Sequence, residues 1–457
     1  MVLETFPAYD SERASGVGEH AVVVGASISG LLAARVLSDG FDQVTVIERN
    51  KLPDEPVPRD GAPQTRQPHL LQEAGRSIID DLFAGFENDF ISEGGLILDV
   101  ASDFNFYDED GYVAHPQAQM PAYAGSRPLL ESVIRKRVFD RDGMQLLDGC
   151  HVADYASDET GATVTGVEIR KNDTERSVSA DLTVDATGRM SRTPTWLEDQ
   201  GYTSPDVAEV TVDLAYSTIT VERDAADQRA FWAPASPPYT RGGGANPIEN
   251  DRWQVVMHGV HGDEPPRDIG QFREFASTLQ ITELEGILDG HDILSEEVAY
   301  YPFPSNRRRY YENLDRFPDG LIVVGDAIAS YNPIYGQGMS VAALHALVLH
   351  HTLAENGLGD LALQFFDKAE SVINTAWLMA VGADFQFAQT TGPKPRGTGL
   401  MGRYLSRLTR KAHTDRKLAE RLFRVIMMEK PPTSLFRPGV MWRVLKPPHH
   451  SHIQTHE

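Results

Sequence analysis

The sequence predicts an α/β fold with α+β elements, in which a region built from βαβ units carries an inserted antiparallel sheet and is followed by a helical C-terminal region. Three observations lead there. Short β-branched runs end in glycine turns at 21–25 and 320–326, the pattern of strands buried on both faces. Longer polar/apolar alternation fills 207–300, broken by Pro, Gly and acidic clusters, and reads as a separate antiparallel sheet. Beyond Gly357 apolar residues recur at helical spacing.

The first unit opens with AVVVG at 21–25, turns through Gly25-Ala26-Ser27-Ile28-Ser29-Gly30, continues as a helix to Gly40, and returns as the strand VTVI at 44–47. Gly25 permits the tight strand-to-helix turn, and Gly30 lets the helix lie close on the sheet. Bare amides at that helix start, with the small side chains of Ser27 and Ser29, can receive a pyrophosphate. Ser27 stands where the usual glycine fingerprint has its middle glycine. Glu48, eighteen residues after Gly30, closes the second strand where a carboxylate accepts ribose hydroxyls, and Arg49 follows it. The unit is Rossmann-like.

A turn-rich loop follows at Arg59-Asp60-Gly61-Ala62-Pro63-Gln64, then a helix expected at 70–83, with His69 at its entry. A histidine there is more often a helix-entry residue than a catalyst. Residues 94–123 alternate like strands and are aromatic (Phe104, Phe106, Tyr107, Tyr112), with a turn at Asp110-Gly111. A helix opens at Arg127-Pro128 and runs to about 139. Strands expected at 151–154, 163–170 and 177–183 form an antiparallel meander whose last member feeds the turn Asp185-Ala186-Thr187-Gly188-Arg189.

Strands at 210–221 and 252–259 belong to the second sheet, where Tyr216, Trp232, Trp253, His258 and Tyr301 are pocket-lining candidates and Arg307, Arg308 and Arg309 lead back toward the first region. The run 320–326 ends in Gly325-Asp326, and Pro333-Ile334-Tyr335-Gly336-Gln337-Gly338-Met339 then opens an Ala-rich helix expected at 341–353. A strand ending in Gly-Asp, a loop, and Gly-Gln-Gly at a helix start suit a cofactor that offers polyol hydroxyls and carries negative charge when reduced: Asp326 binds the hydroxyls, and helix amides face the charge. A flavin meets both conditions.

Charge and composition narrow the function classes. The 457 residues hold 66 Asp and Glu against 42 Lys and Arg, a net −24 that repels nucleic acid. The stretch 394–446 is the exception, with 14 Lys or Arg against Asp415, Glu420 and Glu429, a local +11 that leaves −35 for the remainder. The single cysteine, Cys150, supplies neither an internal disulfide nor a thiolate cluster, so no metal is expected and redox chemistry falls to an organic cofactor. No apolar run approaches the roughly 18 residues of a spanning helix, and the acidic start has no signal core, so a cytoplasmic protein is expected. In the tail, Met401, Tyr404, Leu405, Leu408, Leu418, Leu422, Val425 and Ile426 fall roughly on one face of basic helices. Packing across the nucleotide-binding region is expected, with peripheral contact on an anionic membrane as the competing fate.

Four ordered blocks (25–30 with Glu48; 59–64 with 127–131; 185–192; 325–338) together make the chain resemble the single-component flavoprotein monooxygenases of the para-hydroxybenzoate hydroxylase type, nearest a branch with bacterial flavin-dependent polyene epoxidases. The resemblance implies FAD bound in extended form, with Gly25, Ser27, Ser29, Gly30, Glu48 and Arg49 on its adenosine and pyrophosphate half. It further implies Arg59 and Arg127 near flavin or phosphate, Asp185 and Gly188 in the second motif, and Gly325, Asp326, Gly336, Gly338 and Met339 around ribitol and ring. Pro333, Tyr335, Gly336 and Gln337 would line the ring side. It also implies hydroxylation or epoxidation of a lipophilic aromatic or polyene substrate by O2 through a flavin C4a-hydroperoxide, with NADPH or NADH as electron donor.

The family's second motif carries Asp-Gly and serves both cofactors; this chain has Asp185-Ala186-Thr187-Gly188 instead, which leaves the donor open. No Trp-x-Trp-x-x-Pro element is present, so halogenation is not expected. Reductases of isoprenoid double bonds share the first and last blocks and stand as the alternative, and a non-catalytic flavin scaffold is the remote one. The implied division is 19–88, 125–204 and 316–355 for FAD, 89–124 and 205–315 for substrate, and 356–457 for the helical C-terminal region.

Overall fold

The structure is a computed structural model that describes residues 3–59, 61–172 and 174–447. Asp60 of the turn-rich loop and 448–457 of the expected C-terminal region lie outside the described residues.

Five parallel strands form the first sheet, in the spatial order Leu321–Val323, Leu182–Asp185, Gly18–Val24, Phe41–Ile47 and Met144–Leu147. Ala21, Val22 and Val23 are fully buried because helices and the small meander cover both faces, which explains the uninterrupted β-branched run. The helix Ile28–Leu37 packs against Gly338–Asn356 and Arg127–Phe139, so chain segments three hundred residues apart share one core. Register sets the function of this sheet: Val24 lies opposite Asp185, and Asp185 opposite Val323. Three adjacent strands thus end level, and their three glycine-bearing turns open on one edge, the usual ligand-binding edge of a parallel sheet.

The meander is His151–Ser157, Val164–Lys171 and Thr174–Ser179. The expected third strand at 177–183 is a correction: the chain leaves the meander at Ala180-Asp181, and Leu182–Asp185 enters the parallel sheet. The Asp181 carboxylate holds that crossing by accepting the Glu19 and His20 amides at 2.7 and 3.0 Å. The helix Phe86–Ser92 and the edge strand Met144–Leu147 have no counterpart in the sequence reading. The helix expected at 70–83 is Glu73–Leu82, and that expected at 341–353 runs over Gly338–Asn356.

The second sheet has eight strands, ordered Ala329–Ser330, Ala299–Arg309, Val207–Glu222, Arg252–Val260, Arg241–Ile248, Ala230–Ala233, Phe104–Asp108 and Gly111–Tyr112. All neighbours are antiparallel except Ala230–Ala233 against Phe104–Asp108. One face packs on the helices Phe272–Ala276 and Glu283–Gly290 through Trp253, Val255 and Met257. The alternate residues Val256 and His258 line the cavity on the other face.

After Gly357 come the helices Leu361–Asp384, Thr398–Ala412, Arg416–Ile426 and Pro438–Leu445. The first packs along Gly338–Asn356. The others close mainly on the aromatic segment, Leu408, Leu418, Leu422, Phe423 and Val425 against Val100, Val113, Met120, Ala122, Phe104 and Phe106. The expected contact with the nucleotide-binding region is made just after them, where Met428 is buried in its core and the Ala74 amide donates to the Met427 carbonyl. Among the described residues no helix is long and apolar enough to cross a membrane.

Candidate functional site

A cavity of about 1770 Å³ runs from the level strand ends to the second sheet and under the C-terminal helices. Single-ligand pockets reach roughly 1,000 Å³, so there is room here for more than one occupant. Of the residues singled out in the sequence, Gly25, Ser27, Ser29, Glu48, Arg49, Arg59, Arg127, Gly188, Asp326, Pro333, Tyr335, Gly336, Gln337, Gly338 and Met339 all line it.

Gly30, Gly325 and Asp185 stand behind its wall. A Cβ on Gly30 would lie 1.8 Å from the Gly25 carbonyl oxygen, the close helix–strand approach its position requires. Gly325 (φ +64°) leaves room for Ser29 Oγ, 2.4 Å from where a Cβ would sit. Asp185 is buried, and its carboxylate accepts from the Thr187 amide and from the hydroxyls of Thr187, Ser191 and Thr193 at 2.5–2.9 Å. It shapes the turn that carries Gly188 and Arg189 and does not reach the cavity.

The polar end is organised by a buried ion cluster. Arg59 bridges Glu48 (Nη1 to Oε2, 3.2 Å) and Glu131 (Nη2 to Oε1, 2.9 Å). Arg127 reaches Glu131 at 3.4 Å and donates to Ser27 Oγ at 3.0 Å, and Ser27 Oγ donates to Glu131 at 3.1 Å. Ser27 therefore does what a glycine cannot: it ties the helix start to the ion cluster. Glu48 also accepts the Ala26 amide at 3.0 Å and the Asn50 amide at 3.1 Å, which holds the first turn against the second strand. Burial lowers the pKa of Arg127, with the Glu131 charge opposing.

Asp326 has solvent-accessible surface, but that surface is cavity wall with protein all round it. Its carboxyl is pushed up by this desolvation and pulled back by Arg127 and Arg189. Arg189, absent from the sequence reading of the site, lines the cavity beside it and is anchored by donating to the Ser305 carbonyl at 2.9 Å and Ser305 Oγ at 2.8 Å.

Beyond Asp326 the loop 332–338 lines the cavity. Asp384, only 1% exposed, accepts from Asn306 Nδ2 at 2.6 Å, Asn332 Nδ2 at 2.8 Å and Tyr335 Oη at 2.9 Å. Burial raises its pKa to about 6, with the three donors opposing. Gly336 adopts φ +66°, which favours glycine, whereas a Cβ on Gly338 would meet nothing within 4 Å. At the helix start of Gly338–Asn356 open space thus lies in front of unsatisfied amides.

The far end is aromatic. Tyr216 lies opposite both Tyr301 and His258 in the sheet register, and Trp232 stacks on His258 with centroids 5.4 Å apart. These four line the cavity. Trp253 is a correction: it is buried among Val255, Phe272 and Leu284, and its indole donates to the Arg229 carbonyl. Strand parity carries the signal, since Trp253 and His258 are five residues apart and so face opposite ways.

Burial pushes His258 down to about 3, and the Ala235 amide donates to its Nε2 at 3.1 Å. The proton of the neutral ring therefore sits on Nδ1, which has no protein partner. His69 lines the cavity as well and is held neutral by burial and the Arg127 charge, its pKa down at about 3. Arg307, Arg308 and Arg309 do not line it; they pair with Glu209, Glu312 and the Ala327 carbonyl.

The residues present fit an FAD. Ser29 Oγ is buried without a partner at the first helix start, Gln337 Oε1 likewise before the helix Gly338–Asn356, and Gly338 leaves space that no protein atom fills. Carboxylates at Glu48 and Asp326 stand at the polar end, with the helix amides that an anionic cofactor needs.

Level strand ends, this cradle and the antiparallel sheet beside it define a flavin-binding α/β oxidoreductase. Residues 19–371 match the family described as FAD binding domain, and the chain belongs to that family as an FAD-dependent oxidoreductase. It is similar to protein Rv3254 of Mycobacterium tuberculosis, 34% identical over 426 residues that cover 89% of each chain. Among solved structures it shares its fold with the flavin-dependent brominase Bmp2 (TM-score 0.65, 15% identity, 93% of this chain and 97% of that one). PqsL, a probable FAD-dependent monooxygenase from Pseudomonas aeruginosa, also shares the fold (TM-score 0.57, 17% identity, 81% and 97%).

Proposed function

We propose that the protein is a monooxygenase that uses FAD, O2 and NADPH or NADH to hydroxylate or epoxidise a lipophilic aromatic or polyene substrate. The observation that carries this reading is one cavity lined by the charged residues Glu48, Arg59, Arg127 and Asp326, by the loop 332–338 and by the aromatic residues Tyr216, Trp232, Tyr301 and Phe303. Bound FAD supplies electron transfer and oxygen activation. Every other task falls to the chain.

Glu48, Ser29 and the amides of the first helix would hold the adenosine and pyrophosphate, with Arg59 and Arg127 offsetting the negative charge. Asp326 would accept from the ribityl hydroxyls. The amides at the start of Gly338–Asn356 would stabilise the negative charge of the reduced cofactor. Tyr216, Tyr301, Trp232 and Phe303 would orient an apolar substrate and exclude water, and His258 Nδ1–H offers it one hydrogen-bond donor.

The test is isotope and hydrogen bookkeeping. Protein purified with FAD, supplied with NADPH or NADH and substrate extracts, should consume one O2 per product and place one atom of labelled oxygen in it. A product that gains two hydrogens and no oxygen would assign the chain to the isoprenoid-reductase reaction instead.

A further inference from the structure

The helix Thr398–Ala412 buries Leu408 and Ala412 and turns outward a stripe of Leu400, Arg403, Arg407, Arg410 and Lys411. Steps of three, seven, ten and eleven residues from Leu400 fall on one side of an α-helix. Beside it, Pro438–Leu445 buries Val440 and Val444 and exposes Met441, Trp442 and Leu445. Arg407 fixes the two helices to each other, donating to the Val444 and Leu445 carbonyls at 2.8 and 3.1 Å, and Lys411 reaches the Lys446 carbonyl at 3.3 Å.

The result is one face with large apolar side chains standing in water (Leu400 77%, Trp442 71% and Leu445 53% exposed) next to four cations that line a shared groove. Among the described residues only Arg410 of these four approaches a carboxylate, Glu109 at 3.9 Å. Met401, next to Leu400, is both exposed and a wall of the large cavity, as is Leu378.

We propose that this face docks peripherally on an anionic lipid bilayer. Trp442, Leu445 and Leu400 enter the headgroup boundary, and Arg403, Arg407, Arg410 and Lys411 meet lipid phosphates. Charge selects the occupant. The chain outside 394–446 sums to −35 and is repelled by an anionic surface, so approach is through the basic tail, where this face sets four cations beside exposed apolar side chains. Two copies set face to face would oppose two sets of four cations, and free phosphate gives no use to an exposed Trp and Leu pair. The cavity wall at Met401 and Leu378 then lies by the bilayer, from which a lipophilic substrate enters; substrate entry there rests on the monooxygenase reading, whereas the docking does not.

The full-length, FAD-loaded protein should float with vesicles of phosphatidylcholine mixed with phosphatidylglycerol, not with phosphatidylcholine alone, and added salt should release it. R403Q/R410Q should bind about 30-fold more weakly, on the usual contribution of each basic residue near an anionic surface. W442S/L445S should lose binding while keeping FAD content and melting temperature, since both side chains are exposed. The proposal is overturned if the wild type does not float, if neutral vesicles serve equally, or if neither variant changes binding. Release by inorganic phosphate at matched ionic strength would overturn it too, as would a W442S/L445S variant that dissociates a dimer yet still binds vesicles. Failure of oxygen transfer leaves flotation unmoved, so the two readings fail separately.

Discussion

Replacing Asp384 by Asn tests the buried carboxyl that holds the cavity-lining Asn332 and Tyr335. In the folded chain burial raises this carboxyl from 3.8 to about 6, against three hydrogen-bond donors that pull it down. A group whose folded pKa lies above its unfolded value binds more protons when folded, so its contribution to stability is full below about pH 4 and is lost as pH rises through 6. Two pK units correspond to about 3 kcal/mol. D384N removes the titration but presents an amide hydrogen to one of the three donors, at a cost of about 1–3 kcal/mol for the group left unsatisfied. Denaturant unfolding of both proteins from pH 4 to pH 7.5 cancels the other carboxylates, which are common to the two. The wild type should be the more stable at pH 4 and lose about 3 kcal/mol relative to D384N by pH 7. A difference that stays flat within about 1 kcal/mol across that range would refute the assignment of a buried, proton-holding Asp384.

Gly30→Ala should abolish soluble expression or cost about 3 kcal/mol or more, because the new methyl overlaps a backbone oxygen, whereas Gly338→Ala should fold normally and lose FAD, read as flavin absorbance per chain. Asp326→Ala and Glu48→Ala should each lower FAD retention on gel filtration more than His69→Ala does; equal retention in all three would count against the Gly-Asp reading. Trp253→Phe should lower the melting temperature with KM unchanged, and Trp232→Phe should do the reverse, since only Trp232 lines the cavity. A chain ending at Gly392 should be insoluble, because Val100, Val113, Met120, Phe104 and Phe106 lose the helices that cover them.

Local chemistry was legible in the sequence wherever a single backbone feature demanded it. Gly25 and Gly325 have positive φ, Gly30 touches a carbonyl, and Pro128 stands in the first turn of the helix that opens at Arg127, so each announced itself by residue type. The aromatic wall was half legible. Tyr216, Trp232, His258 and Tyr301 face the cavity and Trp253 does not, a distinction carried by strand parity once the register is known. Glu131, Arg189 and Asp384 carry no such local signal, because each gains its role from partners about seventy or more residues away: Arg59 and Ser27, Ser305, Asn306.

Residue type alone carried the glycine turns and the strands buried on both faces, since steric demands on glycines and the two-sided burial of a β-branched run act within a few residues. Long-range packing settled that Asp185 holds a turn without reaching the cavity, and that 182–185 leaves the meander for the parallel sheet. It also decided where the basic tail closes, over Phe104 and Val113. The −35 of the remainder had pointed that tail across the nucleotide-binding region, which it meets at Met427 and Met428. Ion pairs at a wet surface contribute little beside the burial of Leu408, Leu422 and Phe423, so the apolar face chose the docking site and left Arg403, Arg407 and Arg410 facing outward.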